Sequence, residues 1–492
     1  MLAAAATIAL ITFYLLNYRR RRVPKGLRLP PGPPRKPIIG NLTDMPHYRQ
    51  WETFKKWHEL YGDMVYLNVL GKHILFLNSS KIANELLEKR SLIYSDRPHF
   101  IMLGDLVGFD WIPTLMCYGE RFRRHRQVLY QSLNSFCLDR YKLIQTKHAR
   151  ILLSRMLAEP EDFLNHLRYL TGAVTMELTY GIKVKPKDDP FIRTAEIVLG
   201  AAGETAAPGA FLVDIFPFMR YIPDWIPGAT FQKKAKFWRY HSLRMNKEPY
   251  EIAKKAFESG SSQPSMVALS LEELSTRQQT ALSDEEEIIR NCASSIYAGG
   301  ADTTTSVLYV FMLAMVLFPD IQKKAHEELD LIIGPDRFPE FTDQPFLPYT
   351  TALCKEALRW HVIAPTAAPH VLTQDDIVGE YFIPAGTWVL GNSWEILHEK
   401  EVYGEDADTF NPERYFRPGV KDPIAAFGYG RRYDMPRPIP LREYLIHHYS
   451  FPSPLIHNIS HTRLYTRFES KRNVYNWYIL SEILVDKALL DF

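Results

Sequence analysis

The amino-acid sequence predicts a mainly α-helical protein with a small β part, built as one large helical domain behind an N-terminal membrane anchor. Three observations lead to this prediction. Residues 2–16 are almost wholly apolar, and four arginines follow them at 19–22. Helical patterns dominate from about residue 80 to residue 365. Strand-like segments are confined to short runs before and after that stretch.

The apolar run at the N-terminus favours a single-pass anchor over residues 1–22, in which the arginines at 19–22 end the membrane span. A bilayer core needs about 20 apolar residues, so Asn17, Tyr18 and the arginine stems have to extend the run. A cleavable signal peptide carries its positive charge before the apolar run, whereas here the charge comes after it. The arginines and everything beyond them are therefore expected to be cytosolic. An interfacial helix or an uncleaved targeting segment is the alternative.

Between the anchor and the helical region, the sequence indicates a spacer and a hairpin. Prolines crowd residues 23–41, and because prolines fix φ and favour extended neighbours, this segment is predicted to be a stiff hinge. A proline-rich ligand for a partner domain is the alternative. The apolar runs Val65–Leu70 and His73–Leu77 flank Gly71-Lys72, which is typical of a β-hairpin. Asp376–Trp388 returns to strand-like sequence.

One helix is much longer than the others. Ser283 followed by Glu286 is a capping box, and no proline interrupts the pattern before Phe318. At 1.5 Å per residue this helix is about 50 Å long. Its second half, Val307–Phe318, is apolar on all sides, so it is predicted to lie in the core of a large domain.

The centre of this helix has an unusual composition. Gly299 and Gly300 each cost about 1 kcal/mol against alanine in a helix, and Asp302 and Thr303 follow them. Small residues let a flat ligand approach the backbone, with a carboxylate and a hydroxyl beside it. A threonine hydroxyl can also bond to a carbonyl one turn earlier and distort the helix. A tight crossing with a neighbouring helix is the alternative explanation.

The composition excludes several classes of protein. The formal net charge is only +3, which argues against a nucleic-acid binder with a strongly basic surface. Hydrophobic residues make up 46% and charged residues 23%, as in ordinary folded proteins, so wholesale disorder is excluded. The four cysteines contain no C-x-x-C pair, and neither a disulfide scaffold nor a thiolate zinc site is indicated.

Taken in order, the motifs resemble those of the cytochrome P-450 family, the membrane-anchored eukaryotic haem-thiolate monooxygenases. Glu356–Arg359 matches the family's E-x-x-R, and Phe410–Tyr415 matches its P-E-R-F segment. Phe427–Arg432 matches the start of its haem-binding loop. With the anchor, the hinge and the Gly-Gly-Ala-Asp-Thr-Thr of the long helix, the ordered set covers about residues 1–432. The hinge and strand segments are most similar to those of fungal members.

The resemblance implies a monooxygenase-like domain over 42–432 with haem b as its cofactor. It also implies an NADPH-cytochrome reductase as electron donor and a single-pass position in the endoplasmic reticulum membrane, with the catalytic domain cytosolic. The substrate would be a lipophilic small molecule, such as a terpenoid, steroid or aromatic compound of secondary or xenobiotic metabolism. Small residues at 364–368 agree with a bulky apolar substrate.

The resemblance also implies roles for residues in four groups. They are a proton-relaying acid–alcohol pair (Asp302, Thr303), residues beside the haem (Gly299, Gly300, Phe427), partners of the haem propionates (Arg126, His370, Arg432), and a buried structural triad (Glu356, Arg359, Arg414). Phe122 stands where the family's propionate-binding helix has tryptophan. Arg123 and Arg124 on that stretch either meet an acidic reductase surface or form a solvated basic face.

The residue that should ligate the iron is absent. The family places a cysteine two residues after Arg432, and its thiolate pushes electron density towards oxygen. Asp434 stands there instead, and a hard carboxylate is a poor donor for that role. Methionine has only the codon ATG and proline codons begin with CC, so losing one base before Met435-Pro436 yields TGC, a cysteine codon. We therefore hypothesise a single-base slip or misassigned splice site near Arg432, with an out-of-frame tail over 433–492.

Two other functions stay open on the sequence as written. The chain could be a catalytically dead, membrane-anchored relic, or a haem-free binder of small apolar molecules. Histidines in the tail offer another iron ligand, but a neutral imidazole lacks the electron push of a thiolate. A solvated tail explains them better.

Overall fold

The computed structural model describes residues 23–46, 49–133, 138–206, 209–276 and 282–432. The predicted anchor over 1–22, Asp434 and the predicted tail over 433–492 lie outside these residues. The helices are α1 (Gln50–Tyr61), α2 (Ser80–Ala83), α3 (Ser91–Tyr94), α4 (Glu120–Ser132), α5 (Leu138–Ala158), α6 (Phe163–Tyr180), α7 (Pro190–Ala206), α8 (Thr230–Glu258), α9 (Met266–Thr276), α10 (Leu282–Leu317), α11 (Pro319–Ile332), α12 (Pro348–Trp360), α13 (Ser393–Leu397) and α14 (Lys400–Tyr403). The strands are β1 (Met64–Val69), β2 (Lys72–Leu77), β3 (His370–Val371), β4 (Asp376–Val378), β5 (Tyr381–Ile383) and β6 (Trp388–Gly391).

The chain folds into two compact units, and each is assembled from separate segments. The first unit takes the residues up to Pro98 together with Pro365–Ile396 and Tyr429–Arg432, and the second takes most of the remaining residues. Helices dominate and the strands are short, so the predicted mainly α-helical class with a small β part is confirmed.

The first unit contains the sheets. One has the strand order β1-β2-β6-β3, and β4 pairs with β5 in a second sheet. β1 and β2 form the predicted hairpin, with Val69 opposite Lys72 and a two-residue turn between them. Leu70 and Gly71 in that turn have φ values of 49° and 85°, the left-handed pair that a type I′ turn requires. The turn therefore lies one residue earlier than the sequence predicted.

The proline-rich segment packs along the first unit. The amide of Tyr66 in β1 donates to the carbonyl of Pro31 at 2.8 Å, and the amide of Phe382 in β5 donates to the carbonyl of Arg28 at 2.8 Å. Asn41 is fully buried and exchanges hydrogen bonds with Asn68. Prolines lack the N–H but keep the carbonyl, so the segment acts mainly as an acceptor. The stretch predicted to be a hinge is thus held against the sheets from Arg28 onward.

The second unit is helical and is organised around α10. The apolar second half of this helix forms one core cluster with α5, α6, α11 and α12, and Phe410 and Phe427 join it. Among the described residues, α10 is the one helix long and apolar enough to cross a membrane, by length and composition alone. Its contacts within the core cluster match the prediction of a buried core helix.

Candidate functional site

The two glycines at the centre of α10 have different surroundings. A Cβ atom added to Gly300 would lie 2.6 Å from the methyl group of Thr175 on α6, so only glycine fits at this crossing. A Cβ added to Gly299 would meet no atom within 4 Å. A tight helix crossing therefore explains Gly300, whereas Gly299 leaves open space beside the backbone.

The polar residues that follow hold their hydroxyl groups to the helix itself. The Oγ1 of Thr303 donates to the carbonyl of Gly299 at 2.6 Å, and the Oγ1 of Thr305 donates to the carbonyl of Ala301 at 2.7 Å. These carbonyls stay paired, and α10 is continuous from Leu282 to Leu317 in spite of the two glycines. Thr303 is exposed, so its hydroxyl oxygen remains accessible for a further hydrogen bond.

Asp302 is accessible to water and yet is surrounded by protein. Its side chain is exposed, but the protein around it makes the charged form costly and raises the pKa of its carboxyl group. The positive charge of Arg168 on α6 opposes that rise. A carboxyl group in such surroundings gives and regains a proton more readily near neutral pH than an ordinary aspartate does. This suits the predicted role in proton relay.

Glu356, Arg359 and Arg414 form a fully buried cluster in the second unit. Arg359 donates to both carboxylate oxygens of Glu356 at 2.8 Å, and Arg414 Nε donates to Oε1 at 3.0 Å. The other partners of the two guanidinium groups are backbone carbonyls between Leu397 and Thr409 and, for Arg414, the Oδ1 of Asp406 at 3.2 Å. The cluster ties α12 to the loop that carries Arg414 and has no accessible reactive atom, so its geometry is that of a structural element.

A second polar cluster lies in the first unit, around His370 on β3. This imidazole is 1% exposed and its Nδ1 donates to the carbonyl of Tyr94 at 2.7 Å. Burial, together with the charges of Arg97 and Arg432, holds the pKa of His370 well below its ordinary value. Both arginines are themselves buried and donate to backbone carbonyls, Arg97 to that of Pro369 and Arg432 to that of Ser95. Two guanidinium groups are therefore concentrated beside one neutral imidazole.

This donor set fits an anionic ligand such as the carboxylates of a haem. Guanidinium groups match carboxylates in geometry and charge. The hydroxyl group of Ser95 is buried and has no hydrogen-bond partner among the described residues, so a polar ligand here would satisfy it. His370 and Arg432 were predicted from the sequence, whereas Arg97 was missed. The sequence feature that could have identified Arg97 is its position directly before Pro98, in a segment without helical or strand periodicity.

The remaining predicted residues lie in the second unit. Arg126 is half-buried on α4, one turn after the buried Phe122, and Phe427 belongs to the core cluster around α10. Arg124 donates to Glu285 at 2.5 Å, so this predicted reductase contact is already engaged within the chain. The roles predicted for Arg126 and Phe427 toward a cofactor stay predictions.

The described cysteines do not fit the role of an iron ligand. Cys292 is fully buried, and burial raises the pKa of its thiol well above the ordinary value. Burial raises the pKa of the Cys354 thiol to about 12, and Cys117 is exposed on the surface. A thiolate ligand needs a lowered pKa. The residues present therefore fit the carboxylates of a haem, but these three thiols do not fit its iron.

Comparisons with known proteins identify the family of this chain. The sequence profile described as Cytochrome P-450 matches residues 30–433. A cytochrome P-450 monooxygenase of Armillaria gallica is 42% identical over 414 residues, which cover 82% of this chain and 80% of the relative. Monooxygenase 105 of Postia placenta is 40% identical, covering 86% of this chain and 80% of the relative. Monooxygenase COX1 of Coprinopsis cinerea is 37% identical, covering 88% and 85%. The profile match ends one residue before Asp434.

Proposed function

The chain belongs to the cytochrome P-450 family, and we propose that its gene, read in the family's frame, encodes a haem-thiolate monooxygenase that oxidises a lipophilic small molecule. Its relatives are monooxygenases, and the family implies a haem cofactor, a reductase as redox partner and a lipophilic substrate. A terpenoid, steroid or aromatic substrate, an NADPH-cytochrome reductase, and a single-pass anchor in the endoplasmic reticulum membrane are the finer parts of the proposal.

The observation that carries the proposal is the cationic cluster around His370. Arg97 and Arg432 would hold the haem carboxylates by charge-assisted hydrogen bonds. His370 donates through Nδ1 to Tyr94, so its Nε2 has to gain a proton before it can donate to a carboxylate. Binding of an anion would therefore raise the pKa of His370 from its present low value.

The haem supplies the oxygen chemistry, and the residues of α10 supply protons. Asp302 would give a proton and regain it from water, and Thr303, whose hydroxyl donates to Gly299, would hold a water molecule by accepting a hydrogen bond from it. Gly299 keeps the surface beside them free of side-chain atoms. These roles follow the family's acid–alcohol pair and agree with the surroundings of both side chains.

The iron ligand decides whether this exact chain is active. With Asp434 in place of the cysteine, the 492-residue chain is proposed to be catalytically dead. A single-base slip or misassigned splice site near Arg432 would explain both the aspartate and the unrelated tail. The end of the family match at residue 433 supports this explanation. A haem-free binder of small apolar molecules is the second candidate.

The test compares two proteins, the chain as written and the chain encoded after restoring the family's frame. Each is purified, reduced and treated with carbon monoxide, and its absorbance is recorded. The frame-corrected protein should give the band of thiolate-ligated haem, and the chain as written should not. A thiolate band from the chain as written would refute the proposal, and so would a transcript that encodes Asp434 in frame together with activity. A folded frame-corrected protein without haem would favour the haem-free binder.

A further inference from the structure

An open cleft on the second unit is lined by two arginines that have no carboxylate partner. The cleft has a volume of about 350 Å³ and lies along α5, where its lining consists of Arg150, Ile151, Ser154, Arg155 and Ala158. Within the part of the chain that the structure describes, neither guanidinium group forms an ion pair with a carboxylate. Their positive charges are therefore not neutralised by a direct contact.

An aromatic ring holds each of these guanidinium groups in place. Arg155 lies over the ring of Tyr169 on α6, with 3.6 Å between the guanidinium carbon and the ring centroid, and it donates to the carbonyl of Pro186 at 3.2 Å. Arg150 lies over the ring of Phe338, in the segment between α11 and α12, at 5.9 Å. A guanidinium group that stacks on an aromatic face has fewer conformations to lose when it binds a ligand. Both arginines are thus preorganised, unlike those of an ordinary solvated basic face.

Ser154 adds a hydroxyl group to the lining of the cleft. It is exposed, and its Oγ donates to the carbonyl of Arg150 one turn earlier at 3.2 Å. A hydroxyl group rotates about its Cβ–Oγ bond, so Ser154 can donate to a bound anion instead. The lining therefore offers two guanidinium groups and one hydroxyl group as donors, and it contains no acidic side chain.

Further positive charge lies beside the cleft. The loop between α6 and α7, to which Arg155 donates, carries Lys183 and Lys185. Both lysines are exposed, and neither side chain forms an ion pair with a described residue. The carboxyl group of Glu159 is affected by the charge of Arg155, but it already pairs with Lys187 at 2.9 Å. The local excess of positive charge favours an anion that carries more than one negative charge.

We propose that the cleft lined by Arg150, Ser154 and Arg155 binds a phosphate group, either free or carried by a lipid headgroup. Guanidinium groups match phosphate oxygens in geometry and charge. A tetrahedral phosphate presents oxygens in several directions and can meet both arginines and the hydroxyl group together, whereas a planar carboxylate presents only two oxygens. The site shares no residue with the clusters assigned to the haem and to proton transfer, so the inference goes beyond the proposed function.

The experiment titrates the haem-free, full-length protein in detergent with inorganic phosphate at low ionic strength, and binding is followed by phosphorus NMR line broadening. R155Q should weaken binding by about tenfold or more, because a charge-assisted hydrogen bond is lost, and R150Q should weaken it as well. R155K keeps the charge but loses the planar, stacked group, so it should bind phosphate less tightly than the parent. R244Q is the matched control, because Arg244 on α8 already pairs with Glu248, and it should bind phosphate like the parent.

Two further probes identify the source of the phosphate group. Glycerol 3-phosphate reproduces a lipid headgroup, so an affinity about tenfold above that of inorganic phosphate would assign the site to a lipid, and equal affinities would assign it to free phosphate. Acetate should bind at least about threefold more weakly than phosphate, because it carries one charge and two oxygens. Acetate binding as tight as phosphate binding would overturn the assignment to phosphate.

The absence of phosphate binding up to about 10 mM would overturn the proposal, and so would an equal loss of binding in R155Q and R244Q. Circular dichroism verifies the fold of each variant, and if R155Q does not fold, unchanged binding in R150Q overturns the proposal equally. Phosphate should also raise the thermal unfolding midpoint of the parent more than that of R155Q, because a ligand that binds the folded chain stabilises it. None of these measurements needs haem, so their outcome is independent of the carbon monoxide test.

Discussion

Replacing Glu356 by glutamine tests how much of the second unit depends on one buried carboxylate. The carboxylate accepts four hydrogen bonds, two from Arg359, one from Arg414 and one from the amide of Asn411 at 2.8 Å. Glutamine has nearly the same shape but is neutral and carries a donor group in place of one oxygen. One of these donors would therefore face another donor. Arg359 would lose its carboxylate counter-charge, and Arg414 would keep only the partly exposed carboxylate of Asp406 at 3.2 Å.

The size of the destabilisation expected for E356Q follows from the burial of the cluster. All three side chains of the cluster are completely buried, so water cannot replace the lost interactions. Breaking a buried pair by removing one partner costs about 3–5 kcal/mol. Arg359 and Arg414 keep their backbone carbonyl partners, and Arg414 also keeps Asp406, so the cost stays below the sum of four charged hydrogen bonds. We expect the free energy of unfolding to fall by about 4 kcal/mol, roughly a thousandfold in the folded-to-unfolded ratio.

Urea unfolding followed by far-ultraviolet circular dichroism measures this change. The control is E327Q on α11, where the carboxylate is largely exposed and its lysine partner is 3.9 Å away. That variant should stay within about 0.5 kcal/mol of the parent. A loss below about 1 kcal/mol in E356Q would refute the reasoning, since it would mean that the guanidinium groups find other compensation.

Two further predictions concern packing and pH. G300A should lower the free energy of unfolding by about 1–3 kcal/mol because its methyl group meets Thr175, and adding T175S should restore the stability. G299A, the control, should leave the stability unchanged or raise it by up to about 1 kcal/mol. Equal stabilities of the two alanine variants would contradict this prediction. Burial lowers the pKa of His370 and His125, so below their ordinary value of 6.5 the unfolded chain binds protons that the folded chain does not. In urea titrations, the free energy of unfolding should fall by about 1.4 kcal/mol per pH unit for each histidine as the pH drops below 6.5. A free energy of unfolding that stays constant down to about pH 5 would contradict this prediction.

The sequence was most informative where the structure is local. The two apolar runs around Gly71-Lys72 predicted the first hairpin to within one residue, since a two-residue turn with positive φ values favours glycine. The absence of proline between Ser283 and Phe318 predicted the extent of α10, which ends at Leu317. The three members of the buried triad were named from two motifs that match those of the family.

Long-range packing was harder to predict. Nothing in the pattern around Gly300 says that Thr175, 125 positions earlier, is the side chain that excludes a Cβ there. Arg97 follows no periodic pattern, and only the folded chain brings it to His370. The proline-rich segment was predicted to be a stiff hinge because prolines fix φ. In the structure the carbonyls of Pro31 and Arg28 accept hydrogen bonds from β1 and β5.

For a chain held by the proposed anchor, the attachment of Arg28 to β5 would limit the distance between the first unit and a bilayer. Only residues 23–27 separate Arg28 from the last arginine of the proposed anchor. Six peptide steps reach at most about 20 Å when fully stretched. Were the whole proline-rich segment free, the tether would be about three times longer. The short linker would therefore hold the domain close to the membrane surface, where lipophilic compounds accumulate.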